Sequence, residues 1–508
     1  MNRARHLIRS SVIVILFLGL GKVTGFIRTL LVSNTFGTGT DFDAFTAANQ
    51  LPEVFVTLIS GGALAAAFIP VYSNYLSGKS AKESARLANT ILTLVIAVLG
   101  GISAIGIIIA PWITSELLVP DFPEEIQSLT AMLMRIILFQ TTLFGISGVL
   151  SSILNAHQHF ALPALAPVAL DIGYVIGLLL FVPRMGISGL AWGTVLGGVL
   201  HILIQVPALA RFKYRFRPAL GLKMQGTLET IRLMLPRIVT LGAIQVADLI
   251  IIRLTSGLSA GSTSGYFYGY YLMQLPETLF GTAIAVVVFP TMAEHFNAGR
   301  IEDLKRLSMT ALRIIWLLTV PAAVGIAMLG RQAIAFLLER GAFTSTSTSL
   351  VYGVLVFFSV RIISEASLEI LARLFFAQHD TKTPMYMALG WLAVTIGLSY
   401  YFFSAMGLGG LALASTIAFS LQSIALYILN RRRLGSLYGK ELLQTAGQTI
   451  AGAVGMALVI AFLSQLISND LALLLVGGLT GVTVYIGITY AAGSREIPAL
   501  IRLIRKSQ

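Results

Sequence analysis

The chain has 508 residues, of which 56% are hydrophobic and only 11% are charged, and it contains no cysteine. Its mean hydropathy of +0.85 lies far outside the range of soluble globular domains. Apolar runs of about 20 residues, enough to cross ~30 Å of hydrocarbon, recur from end to end with short polar breaks. The composition predicts an all-α integral membrane protein without a folded aqueous domain, and it excludes disulfides and thiolate sites.

The first apolar run follows the basic start MNRARHLIR and extends to about Asn34. It is too long for a signal peptide and lacks a small-residue cleavage site, so we interpret it as a retained first helix. The apolar runs together predict fourteen spans, at approximately residues 10–34, 43–72, 87–113, 128–154, 163–183, 186–210, 228–255, 264–292, 308–337, 350–376, 385–404, 407–430, 444–467 and 471–492.

Basic residues are concentrated in alternate connections between these spans. If the N-terminus is cytoplasmic, that side receives Lys79, Lys82, Arg86, Arg211, Lys213, Arg215, Arg217, Lys223, Arg300, Lys305, Arg306, Arg431, Arg432, Arg433 and Lys440. The opposite loops offer only Arg184 and Arg340. The positive-inside rule therefore predicts that both termini are cytoplasmic. The net charge of +13 reflects this loop topology, so we expect no nucleic-acid partner.

Several motifs recur in the second half of the chain. MGISGLAWGT from Met185 resembles MGLGGLALAST from Met406, 221 positions later, and LPEVF from Leu51 resembles LPETLF from Leu275. LNAHQHFALP likewise resembles FFAQHDTKTP. These repeats predict two pseudo-symmetric six-helix lobes, at 1–217 and 218–436, followed by two additional transmembrane helices and a cytoplasmic tail at 437–508.

Charged residues inside the first two spans are candidates for a functional site, because an isolated cation at the bilayer centre costs about 2.5–3.5 kcal/mol. Lys22 and Glu53 have nearly equal predicted depth, so they form either a structural pair or part of a ligand site. Arg28 lies about 9 Å nearer the outside, and no acid of the second span matches its depth. Arg28 is therefore the stronger candidate for binding a ligand. Gly21 and Gly25 could let another helix approach, or let this one bend.

Asp43 lies in TGTDFDAF at the start of the second span. Its DFD stretch resembles the Asp-x-Asp of metal-dependent glycosyltransferases, but the nucleotide-sugar domain that such a motif needs is absent from the sequence. Thr40 and Asp43 also have capping-box spacing, which gives a structural explanation.

The second half carries its own intramembrane charges. Asp248 and Arg253 lie in the seventh span, and Glu277 lies in the eighth at the position that repeats Glu53. In the tenth span, charges recur at i,i+4 spacing as Arg361, Glu365, Glu369 and Arg373. These four predict a structural ladder along one helix face, with proton or cation coupling as the alternative. The aromatic run GYFYGYYLMQLP predicts an interfacial belt or, second, a surface for stacking sugar rings.

Eight stretches carry a family resemblance: GKVTGFIRTLLVSNTFG, TDFDAF, AAAFIPVY, LNAHQHFALPALAP, GLAWGTVLGGVLHILIQVP, LLTVPAAVGIAML, LLERGAFT and LARLFFAQHDTKTP. Together, and in this order, they resemble the MurJ/MviN family of lipid II flippases, in the multidrug/oligosaccharidyl-lipid/polysaccharide exporter superfamily. The resemblance covers nearly the whole chain. It implies two six-helix lobes around a central cavity, with the last two helices forming a groove for the lipid tail.

The resemblance also implies site residues. Lys22 and Arg28 match two basic positions of the family's first helix, and Asp43 matches an acidic position at the start of the second. The sequence departs from the family where bases are usual, at Val56, Thr57 and Tyr271, and where acids are common, at Gln274 and Gly61. We therefore take Lys22, Arg28 and Asp43 as substrate-binding candidates, with Arg253 and Tyr271 as secondary ones. Candidates for coupling or charge pairing are Glu53, Asp248, Glu277, Glu365 and Glu369.

The implied function is translocation of a polyprenyl diphosphate-linked peptidoglycan precursor, lipid II, across the bacterial plasma membrane by alternating access. Implied partners are the anionic lipid-linked substrate, membrane lipids and cell-wall synthesis proteins. We expect no enzyme activity, catalytic residue, metal or cofactor, and we expect dependence on the membrane potential or on a sodium or proton gradient. The alternatives are a cation-coupled multidrug antiporter or other polysaccharide-lipid exporter of the same superfamily, and a scaffold that no longer transports.

Overall fold

The computed structural model describes residues 2–61, 63–212 and 214–498, and within these ranges the chain is helical with no strand. The all-α prediction is therefore confirmed. The chain divides into two compact units at the Thr263–Ser264 peptide bond. The predicted lobe boundaries at 217 and 436 stay predictions.

The first unit contains ten helices in its described residues: α1 (Asn2–Phe36), α2 (Thr40–Phe55), α3 (Ala63–Gly78), α4 (Ala81–Trp112), α5 (Glu124–Ala156), α6 (Ala161–Ile176), α7 (Val182–Met185), α8 (Ile187–Leu203), α9 (Val206–Arg211) and α10 (Gln225–Ser256). Three of them continue into π-helical segments, at Val56–Gly61, Ile113–Leu118 and Gly177–Phe181. Its core includes the fully buried side chains of Phe68, Leu87, Leu99 and Ile153.

The helix that begins just before the boundary and those of the second unit are α11 (Ser262–Glu277), α12 (Ala283–Asn297), α13 (Ile301–Leu338), α14 (Ser345–Ala377), α15 (Lys382–Leu434), α16 (Gly439–Leu466), α17 (Asp470–Ala472) and α18 (Gly478–Ala491). Two π-helical segments occur, at Thr278–Thr282 and Leu473–Gly477. A core of this unit is built around Met292, Leu374, Phe375 and Leu426.

In the residues that the structure describes, each of the fourteen predicted spans lies mainly on helix, although α1 and α14, which carry the spans 10–34 and 350–376, do not qualify as membrane spans by hydropathy and charge. Eleven helical stretches of the described chain are long and apolar enough to cross a membrane. The predicted spans 385–404 and 407–430 lie within one of these stretches, α15, which is interrupted at Gly407 by non-helical backbone angles. Large apolar side chains such as Ile108 and Leu443 are about three-quarters exposed, as expected for surfaces that face hydrocarbon.

The duplicated MG-x-x-GL motif forms the same turn in each unit. Gly186 and Gly407 adopt similar backbone angles, with φ of +57° and +54°, a region that favours glycine. Three residues later, a methyl group on Gly189 would lie 2.5 Å from the backbone of Phe181, and one on Gly410 would lie 2.3 Å from the carbonyl oxygen of Phe402. Equivalent glycines therefore close equivalent turns, which supports the repeat inferred from the sequence.

Asp380 organises the turn between α14 and α15. Its carboxylate accepts hydrogen bonds from the backbone N–H groups of Lys382 and Thr383, both at 3.0 Å, and from the Thr383 hydroxyl. Arg433 lies 2.5 Å from the same carboxylate. Partial burial alone would raise the pKa of Asp380, but the Thr383 hydrogen bonds and the Arg433 charge outweigh it and lower that pKa to about 2.

The Gly410 contact predicts an asymmetric response to alanine within α15. Gly410→Ala places its methyl group against backbone that cannot move aside, so we expect a loss of about 1–3 kcal/mol. Gly390→Ala, on the same helix with open space around it, should be stabilising by about 0.5–1 kcal/mol because alanine favours helix. Thermal unfolding of detergent-purified variants measures both. Equal melting temperatures would contradict the close approach.

Asp380 predicts a pH-dependent contribution to stability. Its pKa is about 2 in the folded chain against an ordinary value of 3.8, so its ionised form stabilises the fold above pH 3.8, and this contribution is lost as the pH falls toward 2. Asp380→Asn should therefore melt below wild type at pH 7, with the difference shrinking below pH 4. Arg433→Gln should reproduce part of the effect. A difference that is the same at pH 7 and pH 3 would show that charge is not its cause.

Candidate functional site

Arg28 of α1 forms an ion pair with Asp171 of α6. The Nη1 atom of Arg28 lies 3.0 Å from Oδ1 of Asp171, and the Thr24 hydroxyl donates to Oδ2 at 2.6 Å. The guanidinium also lies 4.7 Å from the ring centroid of Tyr174, a cation–π distance. The Asp171 side chain is only 7% exposed, whereas that of Arg28 is 31% exposed. The acid is thus buried, while part of the cation stays accessible.

Glycines on both sides of α6 fix the position of this pair. On one side, methyl groups built on Gly173 of α6 and on Gly177 of the following π segment would lie 2.2 and 2.4 Å from the α8 backbone at Gly197 and Gly193, so this stretch and α8 pack backbone to backbone. Asp171 lies on another face of α6, which contacts α1. There Gly21 faces Pro167 and Gly25 faces Asp171, as expected for glycines that let a second helix approach.

Sequence reasoning missed Asp171. No acid of the second span matches the depth of Arg28, and the partner comes instead from the predicted span 163–183. The available signal was that Asp171 is an isolated acid in an otherwise apolar run, where an ionisable residue needs a partner.

Lys22 and Glu53 do not form the structural pair considered above. In the described part of the chain Lys22 is exposed and joins no ion pair, and Glu53 is exposed with a 3.5 Å contact from the Thr57 hydroxyl. The Glu53 charge instead interacts with Arg28. Equal depth was therefore not enough to predict pairing.

Asp43 is buried and does not form the predicted capping box with Thr40. Gly39 is the N-cap of α2, with no side-chain cap, and Asp43 Oδ2 accepts a 2.6 Å hydrogen bond from the backbone N–H of Gly261. Gly261 has φ of +88°, and a methyl group there would lie 2.3 Å from the carbonyl oxygen of Thr38. Asp43 thus ties the start of α2 to the loop before α11, and its contact with substrate stays a prediction.

Arg253 lies in the last turn of α10 and caps another helical end. Its Nη1 donates to the carbonyl oxygens of Glu116 and Leu117, at 2.7 and 2.9 Å. These residues end the π segment that follows α4, where carbonyls lack helical donors. This contact gives Arg253 a structural role, and substrate binding by it stays a prediction.

Both i,i+4 ion pairs expected along α14 are present in the second unit. Arg361 lies 2.8 Å from Glu365, and Arg373 pairs with Glu369. Arg361 is buried, donates to the Ser415 hydroxyl at 2.8 Å, and lies 4.1 Å from the Phe419 ring centroid. Such contacts compensate a charge removed from water.

Glu277 ends α11 and is 3% exposed. The Thr282 hydroxyl donates to its carboxylate at 3.2 Å, and the charges of Glu365 and Glu369 lie close enough to interact with it. A π segment follows Glu277, and one also begins three residues after Glu53. The repeated Leu-Pro-Glu therefore precedes a π segment in both units, a distortion frequent at functional sites.

The remaining candidates are Asp248 and Tyr271. Asp248 is half-buried in α10, and Tyr271 is 56% exposed, with its ring beside those of Phe267 and Tyr270. Tyr266, Phe267 and Tyr268 are buried, so the aromatic run packs partly into protein and is not simply an interfacial belt. Within the described ranges no three His, Cys, Asp or Glu side chains are grouped to hold a metal.

The description "Lipid II flippase MurJ" belongs to the family model that matches residues 32–477. The chain belongs to the MurJ family. It is 27% identical to "Lipid II flippase MurJ" of Burkholderia cenocepacia over 435 residues, 84% of each chain. It is 28% identical to "Probable lipid II flippase MurJ" of Bdellovibrio bacteriovorus over 499 residues, 96% of this chain and 94% of the relative. The family resemblance seen in the sequence is confirmed.

Solved structures show the same fold. "Lipid II flippase MurJ, inward closed conformation" superposes with a TM-score of 0.83 at 22% identity, covering 96% of this chain and all of the other. An inward-facing multidrug resistance MATE transporter of the MOP superfamily superposes at 0.71 with 14% identity, over 84% of this chain and 98% of the other. With its apolar helices and its MurJ family membership, the chain is a multi-pass protein of the bacterial inner membrane.

Proposed function

We propose that this protein is a flippase that carries lipid II, a polyprenyl diphosphate-linked peptidoglycan precursor, from the inner to the outer leaflet by alternating access. Membership in the MurJ family and the names of its relatives support this function. One observation locates this function at a site: the guanidinium of Arg28, inside the first apolar span, is partly exposed. Anionic phosphate is the complementary ligand for such a group.

Arg28 and Lys22 hold the diphosphate while the polyprenyl tail stays in lipid. Arginine offers five N–H donors, and one nitrogen makes the ion pair with Asp171, which leaves donors for phosphate oxygens. Lys22 adds a second exposed cation about 9 Å along the same helix. With Val56 and Tyr271 in place of the family's usual bases, these two cations bear most of the recognition. The step is binding and translocation, with no covalent bond changed.

We also propose that the membrane potential, or a sodium or proton gradient, drives the export of lipid II. An inside-negative membrane potential favours outward movement of an anion by about 2.3 kcal/mol per charge per 100 mV. A sodium or proton gradient could act through the acids Glu53, Asp248, Glu277, Glu365 and Glu369. The partners in the cell are membrane lipids and cell-wall synthesis proteins.

We further propose fourteen membrane crossings with both termini in the cytoplasm. The fourteen spans on helical segments and the concentration of Lys and Arg in alternate connections support this topology.

A cation-coupled multidrug antiporter is the second candidate. The fold similarity to MATE transporters and the buried Glu277 favour it. Such a protein would export an organic cation in exchange for protons or sodium ions that enter down their gradient, and Glu277→Gln would abolish that exchange without affecting lipid II.

The topology is testable because the chain has no native cysteine. Single cysteines at Ser77 and Ser436 should be shielded from an impermeant maleimide in intact cells, and one at Thr344 should react. Disrupted cells, in which all three react, control for burial. Labelling of position 77 or 436 in intact cells would contradict cytoplasmic termini.

Arg28→Ala should reduce translocation of fluorescent lipid II in proteoliposomes at least about tenfold, because a charge-assisted contact to phosphate is worth about 1.5–3 kcal/mol. Arg28→Lys should retain partial activity, since it keeps the charge without the planar fork. Arg184→Ala, at an exposed position in α7, controls for loss of a cation.

The same vesicles separate the two candidate functions. Imposing a membrane potential, a sodium gradient or a proton gradient in turn identifies the driving force, and replacing lipid II by an organic cation tests the antiporter. Full lipid II transport by Arg28→Ala, at equal protein content, would refute the assigned site.

A further inference from the structure

Arg28, the residue to which the proposed function assigns the substrate phosphate, is already held by an anion of the protein. Asp171 lies 3.0 Å from its guanidinium. Building on the proposed function, we propose that Asp171 is a resident competitor for Arg28, which the diphosphate of the substrate displaces and which singly charged phospholipids cannot displace. Asp171 is thus a specificity-determining residue for the cargo.

The burial of the pair lets an incoming anion reach the cation first. Asp171 is 7% exposed and Arg28 is 31% exposed, so a ligand meets the guanidinium with the carboxylate behind it. Thr24 donates to the second oxygen of Asp171 at 2.6 Å. This hydrogen bond gives Asp171 a partner that remains when Arg28 turns to a ligand, so releasing Arg28 does not leave the acid without any donor.

The packing of α6 keeps Asp171 in place. Gly173 and Gly177 are in backbone contact with α8, and a methyl group at either would overlap that backbone. Asp171 therefore cannot follow Arg28 by a shift of α6 without disturbing this contact. The guanidinium is the more mobile partner, because it ends a long flexible side chain.

The charges set a threshold for binding. Asp171 already offsets much of the attraction of Arg28 for an anion, because the two groups lie 3.0 Å apart. A ligand binds Arg28 only if its interaction with Arg28 and Lys22 is stronger than the interaction of the Asp171 carboxylate with Arg28. A diphosphate diester carries two negative charges that can engage Lys22 and Arg28 together, whereas a phosphodiester lipid carries one.

A phosphate-binding carrier in a membrane must discriminate its cargo from phospholipids, and this threshold provides such discrimination. Anionic phospholipids surround it in large excess and offer the same phosphate chemistry as the cargo. Discrimination can come from an element that penalises the wrong ligand as well as from contacts to the right one. A resident carboxylate supplies that element, and by reclaiming Arg28 it also favours release after translocation.

The experiment measures binding to the full-length protein in detergent by isothermal titration calorimetry. The probes are the dihexanoyl form of CDP-diacylglycerol, a diphosphate diester with two negative charges, and dihexanoyl phosphatidylglycerol, a phosphodiester with one. Asp171→Asn keeps the side-chain shape and can still accept from Thr24. Asp41→Asn, at an exposed position in the same unit, is the control for net charge. Arg28→Ala tests the proposed site itself.

We expect Asp171→Asn to tighten phosphatidylglycerol binding about tenfold and diphosphate binding less, so that the preference for diphosphate falls, in the range of coupling measured for close charge pairs. Asp171→Glu should restore most of the preference, and Asp41→Asn should leave it unchanged. If Asp171→Asn folds poorly, Thr24→Val is the second test. This variant removes the hydrogen bond from Thr24 to Asp171. Asp171 should then bind Arg28 more strongly, and both probes should bind more weakly.

Two outcomes separate this inference from the proposed function. An unchanged preference in Asp171→Asn, together with lost diphosphate binding in Arg28→Ala, would reduce Asp171 to a structural partner and leave the proposed function standing. Unchanged diphosphate binding in Arg28→Ala would remove the site on which both depend.

Discussion

The arrangement of the first unit depends on how a positive charge is accommodated within an apolar helix. Arg28 would cost about 2.5–3.5 kcal/mol if left alone at the centre of a bilayer. Its partner Asp171 comes from α6, and Thr24 and Tyr174 complete the surroundings. The ion pair therefore constrains the packing of α1 against α6. The glycines that let these two helices approach serve that electrostatic contact.

In the second unit, two ion pairs lie within a single helix, although Arg313 of α13 also pairs with Glu496 of another segment at 2.7 Å. Arg361 with Glu365, and Arg373 with Glu369, are i,i+4 pairs within α14. A pair within one helix persists when that helix moves as a rigid body, but a pair between two helices can be exchanged for another partner. The Arg28–Asp171 pair is of the second kind. Such a pair suits a ligand that binds and is later released, and Arg28 is its partly exposed partner.

The sequence was sufficient for features governed by local chemistry. Hydropathy predicted helical segments, i,i+4 spacing predicted the α14 pairs, and the repeated MG-x-x-GL motif marks the matched turns that the structure shows at Gly186 and Gly407. Tertiary partners were not predictable in this way. Equal depth along an idealised hairpin suggested that Lys22 pairs with Glu53. The observed ion pair instead joins Arg28 of α1 to Asp171 of α6. The rotation of a helix about its axis and its choice of neighbour depend on tertiary packing, which residue spacing does not determine.

The glycine turn of α15 has a mechanical consequence. Gly407 is the one residue with non-helical backbone angles inside α15, and it separates two helical arms. Because Gly410 touches the carbonyl of Phe402, these two arms are in direct backbone contact next to the turn. A change in the angle at this turn would alter the contact between Gly410 and the Phe402 carbonyl, so backbone contact holds the angle between the two arms. Bending must then occur elsewhere along the arms, where the backbone is not clamped at its vertex.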